Sequence, residues 1–238
     1  LGAMKALFEA DIRPDIISAV SAGSIAGAYI AAGFSPEETF NKIKDDSFYQ
    51  YTKITIPVKG LMSLEGLEKR LSNHIPVDDI SDLNTKLLVG ATNLESGEIE
   101  FFDRGPLPVL VKASSSIPVL FEPVEYNEKQ YVDGGVISNV PIEPLMGLSE
   151  KIIAISISPV GDNKKMKNLI QISARCFMLA VKAKAHALKD QCELFIEPPL
   201  LQNYGPLDSS KSSELFEIGY NYTKEMIESK EGKMLYPA

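Results

Sequence analysis

Short apolar runs alternate with helical patterns along almost the whole chain, and no other feature limits its fold as strongly. Residues 1–10, "LGAMKALFEA", carry Met4, Leu7 and Phe8 at helical spacing. "DIRPDIISAV" turns at Arg13-Pro14 and enters an apolar strand from Ile16 to Val20. "SIAGAYIAAG" reads as a helix of small residues that ends at Gly33. The next helix starts with Ser35 as N-cap, Pro36 at the first helical position and Glu38 closing a capping box. "MSLEGLEKRLSNHIP" predicts an amphipathic helix with Leu64, Leu67 and Leu71 on one face. "TKLLVGATNL", "ESGE" and "IEFFD" predict strand, turn and strand. Residues 106–116 predict a helix, and "PVEYNEKQYVDGG" a hairpin ending in a glycine pair. "KIIAISISPV" reads as a buried strand, 167–190 as one long helix and "ELFIEPPL" as a last strand. "SSELFEIGYNYTKEMIESK" is a closing helix capped at Ser212 or Ser213. Such an alternation predicts an α/β sandwich with a largely parallel central sheet. With no internal repeat, linker or low-complexity segment, residues 1–238 read as one domain.

Composition narrows the function. Apolar residues make up 45% of the chain and charged residues 24%, ordinary globular values that allow a sizeable core. The net charge of −8 argues against sequence-independent nucleic-acid binding, which needs clustered Lys and Arg. It leaves a membrane surface open, because local basic or apolar patches act against the net charge. The two cysteines, Cys176 and Cys192, form no CxxC pair and read as buried reduced thiols. No apolar run reaches the roughly 18 residues that span a bilayer, and no signal peptide is visible. The acidic charge and low cysteine count fit a cytoplasmic or membrane-peripheral location.

The stretch "DIISAVSAGSIAGAY" holds three serines in the order strand, tight turn, helix. The α/β nucleophile elbow has that order, with the pattern G-x-S-x-G at its turn. Only Ser21 has small residues at both flanking positions, Ala19 and Gly23; Ser18 falls in the strand and Ser24 in the first helical turn. Ala19 stands where the pattern has glycine and adds one methyl group. Taken alone, the stretch fits a helix N-cap at Ser21 as well as a nucleophile.

A serine hydroxyl needs a base. The chain has two histidines, His74 at the end of a helix and His186 among lysines on the long helix. The order Ser21, Asp133, His186 formally matches a triad, but His186 reads as a solvated or half-buried helix residue. Asp133, in "YVDGGVISNVPIEPL", is the stronger candidate. It leaves a strand and is followed by Gly134 and Gly135, which can take backbone angles closed to other residues. An ordinary Asp-Gly hairpin turn is the alternative. A carboxylate there can accept the serine proton directly, provided burial raises its pKa above the solution value of about 3.9.

Three blocks, "SAVSAGSIAGAYIAAG", "VKASSSIPVLFEPVEYNEKQYVDGG" and "NVPIEPL", together resemble the patatin-like phospholipase family. "LGAMKALFEADIRPDII" resembles the helix and strand leading into that family's elbow, and the closing strand and helix are similar too. The resemblance covers nearly the whole chain. It implies a three-layer α/β/α sandwich and hydrolysis of acyl esters of lipids through a Ser-Asp dyad. It implies Ser21 as nucleophile, Asp133 as base, Ala22 and Gly23 at the oxyanion side of the elbow, and no metal or organic cofactor. The implied partner is a lipid or ester substrate at a membrane or micelle interface. The family also carries a strand and a glycine-rich oxyanion loop ahead of the first helix, and this sequence starts inside that helix. The expectation is that the loop precedes Leu1 in the protein; the alternative is a weakened relative.

Two other readings stand beside the dyad: a Ser-His-Asp hydrolase using His186, and a non-catalytic lipid-binding protein of the same fold. A nucleotide binder is disfavoured, since no G-x-G-x-x-G or P-loop lysine follows the first strand. Asn93 reads as a turn residue, and Ser114, Ser115 and Ser116 as packing or capping residues near the site. The long helix mixes apolar and basic residues; packing on the sheet is the simpler account, and a membrane-facing role the alternative. "YTKITIPVKGLM" reads as a lid element or a surface strand.

Overall fold

The computed structural model describes residues 1–44, 53–54, 60, 62–157, 161, 166–204 and 211–229. Its elements run α1 (Gly2–Glu9), β1 (Ile16–Ala19), α2 (Ala22–Ala31), α3 (Pro36–Ile43), β2 (Lys53–Ile54), β3 (Met62–Ser63), α4 (Glu65–His74), β4 (Lys86–Asn93) and β5 (Ile99–Phe102). They continue as α5 (Leu107–Ser114), β6 (Val124–Tyr126), β7 (Lys129–Asp133), β8 (Ile153–Ile155), α6 (Leu169–Ala187), β9 (Leu194–Ile196) and α7 (Ser212–Glu228).

The main sheet has the order β1-β4-β7-β6, with β5 also paired to β4. β4 is buried from Leu87 through Asn93, so both its faces are covered, as in an α/β sandwich. On one face Leu87 and Val89 meet Ala28 and Tyr29 of α2, Leu71 of α4, and Leu110 and Val111 of α5 in the main core. A second cluster joins α1, through Ala3 and Leu7, to Tyr222 and Met226 of α7 and to Leu194 and Ile196 of β9.

The predicted α/β architecture is present, but the main sheet is mixed where the alternation predicted it largely parallel. Among the described residues only β1 pairs with β4 in parallel there; β4-β5, β4-β7 and β6-β7 are antiparallel, and β8-β9 form a separate parallel pair. The cause is local. Gly97, at φ 73°, turns β4 into β5, and Asn127 and Glu128, at φ 49° and 62°, turn β6 into β7. Connections this short admit only antiparallel neighbours.

Local signals read from the sequence recur in the structure. Ser35 accepts from the Glu38 N–H and Glu38 from the Ser35 N–H, the full capping box. Gly33 stands at φ 99° just past α2, and the Phe34 N–H reaches back to the Tyr29 carbonyl, closing a Schellman turn. The α7 cap differs: the helix begins at Ser212, Lys211 takes the cap position, and no side chain caps it. Neither cysteine is buried: Cys176 lies exposed on α6 and Cys192 is half-buried, both as free thiols. The lid expected over residues 51–62 lies outside the described residues apart from β2, Gly60 and Met62. Among the described residues, no helix is long and apolar enough to cross a membrane.

Leu71 is 1% exposed in the main core, while Leu148 is 63% exposed. Leu71→Ala is expected to lower unfolding free energy by about 2–5 kcal/mol through the cavity it leaves. Leu148→Ala should stay within about 0.5 kcal/mol. Denaturant melts of the two variants check the assignment of the core.

Candidate active site

β1 ends at Ala19, opposite Val89 of β4, and the chain then turns sharply through Val20 and Ser21 into α2. Ser21 has φ 53° and ψ −133°, a conformation that L side chains rarely adopt. It occupies the N-cap position of α2, yet its hydroxyl makes no capping bond. The hydroxyl instead donates to Asp133 Oδ2 at 2.6 Å, across 112 residues of sequence. The capping alternative therefore fails: strain and side-chain direction both serve the contact with Asp133. Ala19 is tolerated because a Cβ built on Gly23 would stand 3.8 Å from the Ala19 Cβ, an ordinary contact.

Asp133 is the last residue of β7, opposite Ala91 of β4, and is fully buried. Its Oδ1 accepts from the Gly135 N–H at 2.8 Å. Burial raises its pKa from 3.8 to about 7; the bonds from the Ser21 hydroxyl and the Gly135 amide act the other way and are outweighed. Gly134–Val136 form a short 3₁₀ turn and no hairpin, so the Asp-Gly hairpin alternative also fails. The glycines serve differently than the sequence implied, since neither has a positive φ. Gly134 is needed for space: a Cβ there would lie 2.4 Å from the Gly90 carbonyl oxygen and 2.6 Å from Val20 Cγ1.

Gly90 was not singled out in the sequence, and it is where the two halves of the site meet. A Cβ at Gly90 would come within 2.9 Å of Val20 Cγ1. A lone glycine inside the apolar run "LLVGATN" was the available signal, since such a glycine marks a close approach of neighbouring chain. The three serines at the C-terminal end of α5 carry more than packing. Ser114 Oγ donates to the Gly90 carbonyl at 2.6 Å, and the Ser21 N–H is shared between the Ser114 hydroxyl and carbonyl oxygens, each at 3.0 Å. Ser115 Oγ donates to the Ser21 carbonyl at 3.3 Å, and the Ser116 carbonyl accepts from the Asp133 N–H at 2.9 Å. One segment thus ties down the backbone of both Ser21 and Asp133.

The other candidates separate cleanly. Ser24 is buried and donates to the Ser21 carbonyl at 2.7 Å, while the Ser18 hydroxyl is buried in β1 without a partner among the described residues. Ala22 and Gly23 are exposed at the start of α2. The Gly23 N–H is bonded to Val20, whereas the Ala22 N–H has no acceptor among the described residues. His74 Nδ1 is hydrogen-bonded to the Tyr29 hydroxyl at 2.8 Å, within the core layer and away from Ser21. His186 falls on α6, and its side chain lies outside the described residues. Asn93 is a turn residue as read, its Oδ1 accepting from the Glu95 and Ser96 N–H groups. No cluster of metal-ligating side chains occurs among the described residues.

The arrangement can do one kind of chemistry directly: proton transfer from the hydroxyl of a strained serine at a helix N-terminus to a buried carboxylate. Comparison with known proteins bears on that chemistry. Lysophospholipase NTE1 of Meyerozyma guilliermondii is 23% identical over 262 residues, covering 96% of this chain and 18% of the relative. Lysophospholipase nte1 of Aspergillus niger is 24% identical over 272 residues, covering 100% of this chain and 18% of the relative. The chain thus spans under a fifth of the length of these curated relatives. The crystal structure of VipD from Legionella pneumophila superposes with a TM-score of 0.55 at 15% identity, covering 95% of this chain and 63% of that one, which speaks for the fold alone. The sequence model of the family described as patatin-like phospholipase matches residues 1–146, a stretch that holds both Ser21 and Asp133. The chain belongs to the patatin-like phospholipase family.

Proposed function

We propose that this chain hydrolyses acyl esters of lipids, as a phospholipase A or esterase, through a Ser21–Asp133 dyad and an acyl-enzyme intermediate. The observation that carries the reading is the 2.6 Å bond from the Ser21 hydroxyl to Asp133. Family membership and the lysophospholipase relatives support the substrate class. Asp133 takes the proton of Ser21 as Ser21 Oγ forms a bond to the ester carbonyl carbon. The resulting oxyanion is met by the Ala22 N–H and by the positive end of α2. The tetrahedral adduct collapses, the alcohol or lysolipid leaves with the proton from Asp133, and the acyl group stays on Ser21. Water then gives a proton to Asp133, attacks the acyl carbon and releases the fatty acid, and Ser21 recovers its proton.

Against the histidine triad stands the same bond. A triad places an imidazole between serine and carboxylate, and a direct contact of 2.6 Å leaves no room for one. Against a purely lipid-binding protein stands the backbone strain at Ser21, whose hydroxyl is turned to a carboxylate and not to its own helix.

Three outcomes test the reading. A fluorophosphonate probe, mapped by mass spectrometry of the modified peptide, should label Ser21 alone. Labelling should vanish in Ser21→Ala, fall by about 10³-fold or more in Asp133→Asn, and persist in His186→Ala. Loss in the last variant would return the histidine reading.

The second concerns pH. Asp133 must be ionised to accept the proton, and its pKa stands at about 7. kcat/KM on a water-soluble ester should therefore fall about tenfold per pH unit below neutrality and level off above it. A profile flat down to pH 5 would show that another group, or none, is the base.

The third concerns stability. Below pH 3.8 the carboxyl is protonated in folded and unfolded chain alike and has no differential effect. As pH rises toward 7 the unfolded chain releases a proton that the folded one retains, so stability falls and then levels off. Asp133→Asn removes that slope. Relative to the parent the variant should gain up to about 4 kcal/mol between pH 4 and pH 8, read from denaturant midpoints across the range.

A further inference from the structure

α6 lies directly against the turn that follows Asp133. The Phe177 ring comes within 3.4 Å of where a Cβ on Gly135 would stand. Its inward residues, Ala174, Phe177 and Val181, recur at the spacing of one helical face; Ala174 and Val181 are buried. At about 100° per residue, Leu169, Ile172, Cys176 and Leu179 fall on the opposite face. Leu169, Ile172 and Leu179 are 60%, 47% and 50% exposed, and Cys176 is exposed beside them. The helix thus packs inward, as the simpler sequence account had it, and also carries a second apolar stripe that nothing among the described residues covers. Scattered exposed apolar residues need no explanation, but four on one helical face form a patch.

Charge distinguishes among the occupants of this stripe. The chain carries −8 overall, yet every Lys, Arg, Asp or Glu from Lys164 to Lys189 is a Lys or an Arg. Lys167 and Lys189, at the two ends of the helical segment, are exposed. An apolar stripe on a segment whose charges from Lys164 to Lys189 are all cations, in an otherwise acidic protein, matches an anionic lipid surface, with apolar side chains in the acyl boundary and cations at the headgroups. A second copy docked stripe to stripe would bring two cationic segments together instead.

We infer that the Leu169–Ile172–Cys176–Leu179 face of α6 is the surface by which this chain docks on anionic bilayers. Because the inner face of the same helix rests on the Asp133 turn, docking by the outer face holds the dyad one helix diameter, roughly 10 Å, from the bilayer surface. The inference rests on the lipid-hydrolase reading for its purpose, while its test does not depend on turnover.

The test uses the full chain carrying Ser21→Ala, so that no lipid is consumed. Co-sedimentation is measured with vesicles of phosphatidylcholine alone and of phosphatidylcholine with phosphatidylserine. Binding to the anionic vesicles should be at least about tenfold tighter and should weaken with added salt. Adding Leu169→Glu, Ile172→Glu and Leu179→Glu should reduce anionic binding by at least about tenfold. Thermal melts verify that the triple variant is folded, and Leu148→Glu, an equally exposed leucine elsewhere, should leave binding unchanged. Equal binding to both vesicle types, or full binding by the triple variant, overturns the proposal. So does a parent that ignores vesicles but forms a dimer that the triple variant loses, which assigns the stripe to a second copy. Vesicle binding by this protein, together with an absence of Ser21 labelling in the unsubstituted chain, would overturn the dyad and leave the docking face standing.

Discussion

Both candidate residues hang from one strand, and the register of that strand decides whether they meet. β4 pairs in parallel with β1 on one side and antiparallel with β7 on the other. Ala19 lies opposite Val89, and Asp133 lies opposite Ala91. Two residues past Ala19 the elbow turns Ser21 over Gly90, and Asp133 arrives there from the other side. A shift of one residue in either pairing would put the wrong face of β1 or β7 at the junction, because side chains alternate across a strand. Gly90 and Gly134 let the backbones approach without a Cβ between them, and this closeness makes a 2.6 Å serine–carboxylate bond geometrically available.

The strain at Ser21 and the buried carboxylate of Asp133 are each unfavourable alone. They persist because the segment at the C-terminal end of α5 holds them in place from both sides. Ser114 fixes the Ser21 amide and the Gly90 carbonyl, Ser115 reaches the Ser21 carbonyl, and Ser116 receives the Asp133 amide. These bonds go to backbone, leaving the two candidate side chains to each other and to the Gly135 amide. The geometry of the candidate site is therefore held by groups outside the proposed dyad, at a stability cost set by desolvation of one carboxylate.

Much of this was legible along the chain. The strand–turn–helix at Ser21, the capping box at Ser35 and the helix stop at Gly33 are local signals, and each holds in three dimensions, whereas the glycines after Asp133 take no positive φ and Gly134 serves for space. The order of elements was legible too, because amphipathic periods and turn residues act over a few positions. The sheet was misjudged where its strands are joined by tight turns, although those turns were themselves read correctly. An alternating α/β pattern implies parallel pairing only when a crossover separates the strands. The cysteines were misplaced because the face of α6 on which Cys176 stands is set by what the helix packs against.

The sequence by itself determined the α/β class, the strand–turn–helix at Ser21, the candidacy of Asp133 and the excess of cations along the long helix. These follow from residue type and short-range spacing, which a linear pattern records. Only the tertiary structure decided that the Ser21 hydroxyl goes to Asp133 and not to its own helix, that Gly90 and Ser114 join the two halves, and that one apolar stripe of α6 is exposed. Each of those is a relation between segments far apart in the chain, set by strand register and by which faces find partners, and no local spacing encodes it.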